Sequence, residues 1–202
     1  MAQPAFLFDI GNVLLRFDFS VAARRFAERS DAEADEVISQ LSLFKDDLES
    51  GIMPDAEFVR LSTERIGFRG TPEEFAHIWS DIFTENEPMV RLVEEMADRY
   101  PLYLLSNTNG LHKTFFLERF PFFRHFQGGI YSHEVRSMKP HEPIYLNALE
   151  KYRLEPGSTY YIDDLADNIV TGQRLGLICH HYRLDQHQAL DEHLRGWLHA
   201  NA

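Results

Sequence analysis

An α/β fold, a Rossmann-like parallel sheet interrupted by an α-helical insert, is what the sequence predicts, and three observations predict it. Short apolar runs alternate with segments of helical period from about residue 87 onward, the pattern of strands joined by helical crossovers. The first such run, Ala5 to Phe8, is separated from the next, at Leu102, by a long stretch in which helix follows helix. Three of the runs end directly on polar residues: Asp9, Ser106-Asn107 and Asp163-Asp164.

The elements follow in order. Ala5 to Phe8 is a buried strand, and Asp9, Gly11 and Asn12 after it permit a tight turn. Leu14 to Phe19 leads into a helix carrying Val21, Ala22, Phe26 and Ala27. Asp31 to Phe44 places Val37, Ile38, Leu41 and Phe44 on one helical face, and Asp55 to Ile66 is a third helix. Thr71-Pro72-Glu73-Glu74 starts a fourth, with Thr71 as N-cap and proline at the first position. Residues 18–86 therefore read as consecutive helices without a strand, and their aromatic residues as the core of a small bundle.

Pro88 opens the helix Met89 to Arg99, and Leu102 to Ser106 is the second strand. Leu111 to Phe126 is helical or irregular, Gly129 to Tyr131 a short strand, and Ile144 to Tyr152 a helix after Lys139-Pro140. Thr159 to Ile162 is a strand, Asn168 to Leu175 a helix stopped at Gly176, Leu177 to Tyr182 the last strand, and 189–199 a closing helix. The expected division is a core of residues 1–17 and 87–202 with a helical cap domain of residues 18–86.

Composition narrows the function. The 202 residues suit one core with a smaller insert, and the hydrophobic content of 44% is that of an ordinary globular protein. No apolar stretch approaches the roughly 18 residues of a membrane span, and the N-terminal Met-Ala-Gln-Pro-Ala lacks the regions of a signal peptide. Cys179, the single cysteine, lies in an apolar run and reads as a packed residue. A cytoplasmic location is expected. A formal net charge of -12 argues against nucleic acid and anionic membranes as partners, and demands local cations wherever an anionic substrate binds.

The polar strand ends carry the chemistry. In a parallel sheet the carboxyl ends of the strands share one edge, so Asp9, Ser106, Asn107, Asp163 and Asp164 converge there, and Lys139, in a loop before a helix, can reach the same edge. Carboxylates without a histidine or thiol partner suit a hard cation such as Mg²⁺. Ser106 and Asn107 can donate to phosphate oxygens, and Lys139 supplies a point charge for the same anion. Asp9 can attack phosphorus to give an aspartyl-phosphate that water hydrolyses. Each residue alone also suits a structural role, as a cap, a turn or a surface charge; four matched clusters at one edge favour the chemical one.

Together, Phe8-Asp9-Ile-Gly-Asn-Val13, Leu105-Ser106-Asn107, Lys139-Pro140 and Ile162-Asp163-Asp164-Leu-Ala-Asp-Asn168 resemble the four motifs of the haloacid dehalogenase-like hydrolase superfamily, in its helically C1-capped branch. The details are most similar to its bacterial α-glucose-1-phosphate phosphatase-like members. The resemblance implies Asp9 as nucleophile and Mg²⁺ ligand, the Gly11 carbonyl and Asp164 as further ligands, and a phosphate held by Ser106, Asn107 and Lys139. Asp163 would position Lys139 or the metal shell. The substrate expected is a small phosphorylated metabolite, a sugar phosphate; the oligomeric state is left open.

One departure stands out. Most phosphatases of this superfamily have an aspartate acid/base two residues after the nucleophile, where this chain has Gly11. Asp18, His112 and His141 are candidate substitutes; His180-His181 and His133-Glu134 read as packing or surface residues. Two alternatives follow: a 2-haloacid dehalogenase, which needs no metal and whose members generally lack an acid at the place of Asp164, or a weakly active binding or regulatory protein that keeps the fold.

Overall fold

The computed structural model describes residues 3–200; Met1, Ala2 and residues 201–202, the ends of the expected core, lie outside the described residues. Strand β1 (Ala5–Phe8) is followed by a turn and a short strand β2 (Leu15–Phe17). Helices α1 (Phe19–Ala27), α2 (Ala34–Ser42), α3 (Lys45–Glu49), α4 (Asp55–Ile66) and α5 (Pro72–Ser80) come next, then strand β3 (Phe83–Glu85). The rest alternates: α6 (Glu87–Ala97), β4 (Leu102–Ser106), α7 (Gly110–Arg119), β5 (Gly128–Tyr131), α8 (Ser132–Val135), α9 (Glu142–Tyr152), β6 (Thr159–Asp163), α10 (Ala166–Arg174), β7 (Ile178–His181) and α11 (His187–Ala200).

The main sheet runs β5-β4-β1-β6-β7, every pair parallel. Every residue of β1, β4 and β6 is buried, as strands covered on both faces must be. Alternation sorts their side chains. Phe6, Phe8, Leu102, Leu104, Tyr160 and Ile162 pack against α6 and α11, while Leu7, Tyr103, Leu105 and Tyr161 face Ile144 and Tyr145 of α9 and Ile169 of α10. Helices α1 to α5 enclose a separate apolar cluster, in which Phe26, Phe58 and Phe75 are fully buried and Trp79 nearly so.

The structure departs from the expected succession of helices in two places. Residues 15–17 and 83–85 are not helix lead-ins but an antiparallel ribbon, with Leu15 opposite Glu85 and Phe17 opposite Phe83. Buried Asn86 extends the join: its main-chain N–H donates to Leu14 O (3.0 Å) and its side-chain amide to Val13 O (2.6 Å). Three-residue strands are too short for a period of two to show, and their pairing partner lies far away in sequence. The helix expected over Asp31 to Phe44 is α2, and a short further helix that was not expected, α3, follows it. Ser42 Oγ donates back to Ile38 O at 2.7 Å, a side-chain competitor that disfavours continuation, and Leu43 is left exposed.

Candidate active site

The site lies at the carboxyl edge of the main sheet. Asp9 follows β1, its main-chain N–H donating to Ile162 O at 2.9 Å, which fixes it beside the end of β6. Lys139, in the loop before α9, sends its side chain into the same edge. Its Nζ lies 2.8 Å from Asp9 Oδ1, 2.6 Å from Asp163 Oδ2 and 2.8 Å from Leu105 O. Asp9, Asp163 and Lys139 are all buried. The Lys139–Pro140 peptide bond is cis.

Asp163 is saturated. Oδ2 accepts from Lys139 and from Tyr161 OH (2.5 Å), and Oδ1 from the Leu165 N–H (2.9 Å) and the Asn168 amide (2.8 Å). It is an anchor for the lysine. The Asn107 side chain is likewise occupied: its Oδ1 accepts from Lys139 N (2.8 Å) and its Nδ2 donates to Lys139 O (2.9 Å), clamping the lysine main chain. Ser106, at the end of β4, has only a long contact from its hydroxyl to Asn107 O, 3.4 Å. Asp164 is half-buried and accepts from Asn12 Nδ2 at 3.1 Å.

Electrostatics define what is missing. Three carboxylates, each offering an oxygen within 4.8 Å of the others, face one ammonium. Burial pushes the Asp9 carboxyl up to about 7, with Lys139 opposing the rise and Asp163 adding to it. Burial also acts against the charge on Lys139, but Asp163 and Asp9 outweigh it and hold the ammonium above the ordinary lysine value. The surplus negative charge and all-oxygen donors fit a hard divalent cation. With Asp163 saturated, Asp9 and Asp164 are the carboxylates left to hold it.

A cavity of about 230 Å³ opens above this edge, small beside drug-sized sites of about 300–1,000 Å³. Asp9, Gly11, Asn12, Ser106, Asn107, Lys139 and Asp164 line it from the sheet edge; Phe17, Phe19, Ile82, Phe83 and, from α3, Lys45 and Glu49 line it from β2, β3 and the segment between them. Asn12, not Gly11, takes the left-handed turn conformation, at φ 52°. A Cβ on residue 11 would come 3.2 Å from the Phe17 ring.

None of the three candidate substitutes for the missing acid fits that role. His112 lines the cavity, but both ring nitrogens are engaged: Nδ1 accepts from the Asn109 amide (3.1 Å) and Nε2 donates to Trp79 O (3.2 Å). It stacks on Trp79 at 5.2 Å, and burial pushes it down to about 4, so it is neutral near pH 7. Asp18 is the exposed N-cap of α1, accepting from Ser20 N, which lowers its pKa. His141 is exposed beside a different hollow. His181 Nε2 contacts Asp164 O at 2.9 Å, His133 Nδ1 contacts Thr108 O at 2.9 Å, and Cys179 packs beside Gly172 and the β6 side chains, its thiol pushed up to about 12 by burial.

Sequence reasoning missed Asn12, Tyr161 and Asn168 as supports. Tyr161 carried a usable signal, since it stands two residues before Asp163 and so on the same face of β6.

The chain is similar to known proteins over most of its length. The family model described as haloacid dehalogenase-like hydrolase matches residues 4–176. A D-ribitol-5-phosphate phosphatase of Bacteroides thetaiotaomicron is 27% identical over 180 residues, covering 84% of this chain and 87% of that one. A crystal structure of a HAD family enzyme from the same organism, in complex with magnesium and inorganic phosphate, superposes with a TM-score of 0.76 at 22% identity, covering 91% of this chain and 96% of the other. A HAD-like family hydrolase of Porphyromonas gingivalis gives a TM-score of 0.78 at 25% identity over 96% of this chain and 98% of its own.

Proposed function

Because the chain belongs to the haloacid dehalogenase-like hydrolase family, we propose that it is a Mg²⁺-dependent phosphomonoesterase acting on a small phosphorylated polyol or sugar through an aspartyl-phosphate on Asp9. The observation that carries the reading is the convergence of Asp9, Ser106, Lys139 and Asp164 on one cavity at the sheet edge. The phosphatase named for D-ribitol 5-phosphate and the neighbour crystallised with magnesium and phosphate support the substrate class and the cation.

The residues divide the work. Asp9 Oδ attacks phosphorus in line. Lys139, fixed by Asp163, Asn107 and the Leu105 carbonyl, places a positive charge where phosphate oxygens must lie, and the Ser106 hydroxyl is free to donate to one of them. A Mg²⁺ held by Asp9, Asp164 and the Gly11 carbonyl would offset the repulsion between carboxylate and phosphate. Residues 18–86 serve as a cap whose α3 and aromatic residues face the reacting edge and screen it from water.

Phosphate release from a panel of polyol and sugar phosphates, with Mg²⁺ and with chelator, tests the reading. Turnover should vanish with chelator and in Asp9→Asn, whose amide is a poor nucleophile. Chelator-independent turnover, or Asp9→Asn within tenfold of wild type, would overturn it.

A further inference from the structure

We propose that Glu49, on the helical side of the cavity, protonates the leaving oxygen and so replaces the acid that Gly11 lacks; the assignment rests on the phosphatase reading. In-line displacement puts the leaving oxygen on the side of phosphorus away from Asp9, toward the opposite wall. That wall is built by Phe17, Phe19, Ile82 and Phe83 with Lys45 and Glu49, and Glu49 is its only carboxyl among the described residues. The other ionisable groups lining the cavity are committed: Asp9 and Lys139 to each other and to phosphate, Asp164 to the cation, and both nitrogens of His112 to Asn109 and Trp79. Lys45 lies 3.8 Å from Glu49 with its side chain half exposed, whereas the Glu49 side chain is only 14% exposed.

Glu49 is also held in place. Its main-chain carbonyl accepts from Ser132 Oγ at 2.5 Å, and that hydroxyl accepts from Thr108 N at 2.9 Å, two residues beyond Ser106. Two residues after Glu49, Gly51 lies against the core so closely that a Cβ would come 2.1 Å from His133 O. The end of α3 is thereby fixed to the loops after β4 and β5. Burial raises the Glu49 carboxyl above its ordinary value, against the pull of Lys45, which moves it toward the range an acid catalyst needs.

The protons balance. As Asp9 bonds to phosphorus and the bond to the leaving oxygen breaks, the Glu49 proton passes to that oxygen, releasing a neutral alcohol and leaving a carboxylate. In the second half, that carboxylate takes a proton from the attacking water. The water oxygen bonds to phosphorus, the Asp9–phosphorus bond breaks, and inorganic phosphate leaves with Asp9 and Glu49 restored.

Glu49→Gln and Glu49→Asp, assayed on an alkyl phosphate and on p-nitrophenyl phosphate with Mg²⁺, test this. General acid catalysis contributes about 10²–10⁴-fold, and p-nitrophenolate leaves without help. Glu49→Gln should lower kcat/KM, which reports only the step that expels the leaving group, by about 10²-fold or more on the alkyl ester and by far less on the aryl ester, and Glu49→Asp should recover part of the loss. Equal losses of kcat/KM on both esters, or no loss on either, would overturn the assignment. A series of leaving groups assayed on the wild-type enzyme tests the donor without a variant: a kcat/KM nearly independent of leaving-group pKa is expected, and a steep decline overturns Glu49 as donor. If wild type fails to hydrolyse p-nitrophenyl phosphate at all, the phosphatase reading itself falls, and this assignment with it.

Discussion

Lys139 neutralises two buried carboxylates at once, and its removal shows what that is worth. Lys139→Met would leave Asp9 and Asp163 facing each other without a counter-charge, and removing one partner of a buried pair costs about 3–5 kcal/mol. Urea denaturation should show a loss of that order, together with loss of phosphate release; a variant as stable as wild type would mean that the carboxylates are not charged together. His112 supplies a pH dependence of known sign. Its pKa falls from 6.5 to about 4 on folding, chiefly by burial, so between these values the unfolded chain binds a proton that the folded one refuses. Its contribution is therefore complete above about pH 6.5 and is lost as pH falls toward 4, by about 3 kcal/mol at most. His112→Asn should show a shallower loss of stability than wild type between pH 7 and 5 by urea denaturation. Equal slopes would show that the ring is protonated in the fold.

Among the elements, α5 is the most fully specified by its own sequence. Thr71 Oγ1 accepts from Glu74 N (3.2 Å), and Glu74 reaches back to Thr71 N (2.7 Å) while also pairing with Arg29, two residues beyond α1. Thr71→Ala should cost about 1 kcal/mol, seen as a melting point lowered by about 2–4 °C for a chain of this size. Turnover per folded molecule should be unchanged, since Thr71 lies outside the cavity lining. The elements legible in the sequence are of this kind: β1, β4 and β6 as buried apolar runs, α4 by its helical period, and α5 by Thr71 as N-cap with Pro72 at its first position. Those that were not depend on distant partners, as the β2–β3 pairing does, or on a local competitor, as Ser42 does between α2 and α3. The site divides in the same way. That Asp9, Ser106 and Asp164 would meet followed from their place at strand ends, because topology alone brings those ends together. That Asp163 is saturated, and that the Asn107 side chain is used to hold Lys139, depends on side-chain directions no spacing encodes.

At the scale of the whole molecule, the cavity is lined both by the sheet edge and by the segment between β2 and β3, which touch at a few points. Ser132 meets the Glu49 carbonyl, the Asp55 carboxylate lies against Gly110, and His112 bonds the Trp79 carbonyl. Gly110 has no room for a side chain, as a Cβ there would come 2.1 Å from Asp55 Oδ2. The β2–β3 ribbon has a further consequence. The chain departs from the sheet at Phe17 and returns at Phe83, and these two residues face each other in register. Opposed residues of an antiparallel pair lie about 4.5–5.5 Å apart, so the chain leaves and re-enters at neighbouring points. A segment joining β2 to β3 must therefore bring its two ends together at that spacing if the ribbon is to keep its register. The groups assigned to attack, charge and cation belong to the sheet edge, whereas Glu49, assigned to the leaving oxygen, belongs to the segment between β2 and β3. The chemistry as proposed therefore draws on both sides of the ribbon.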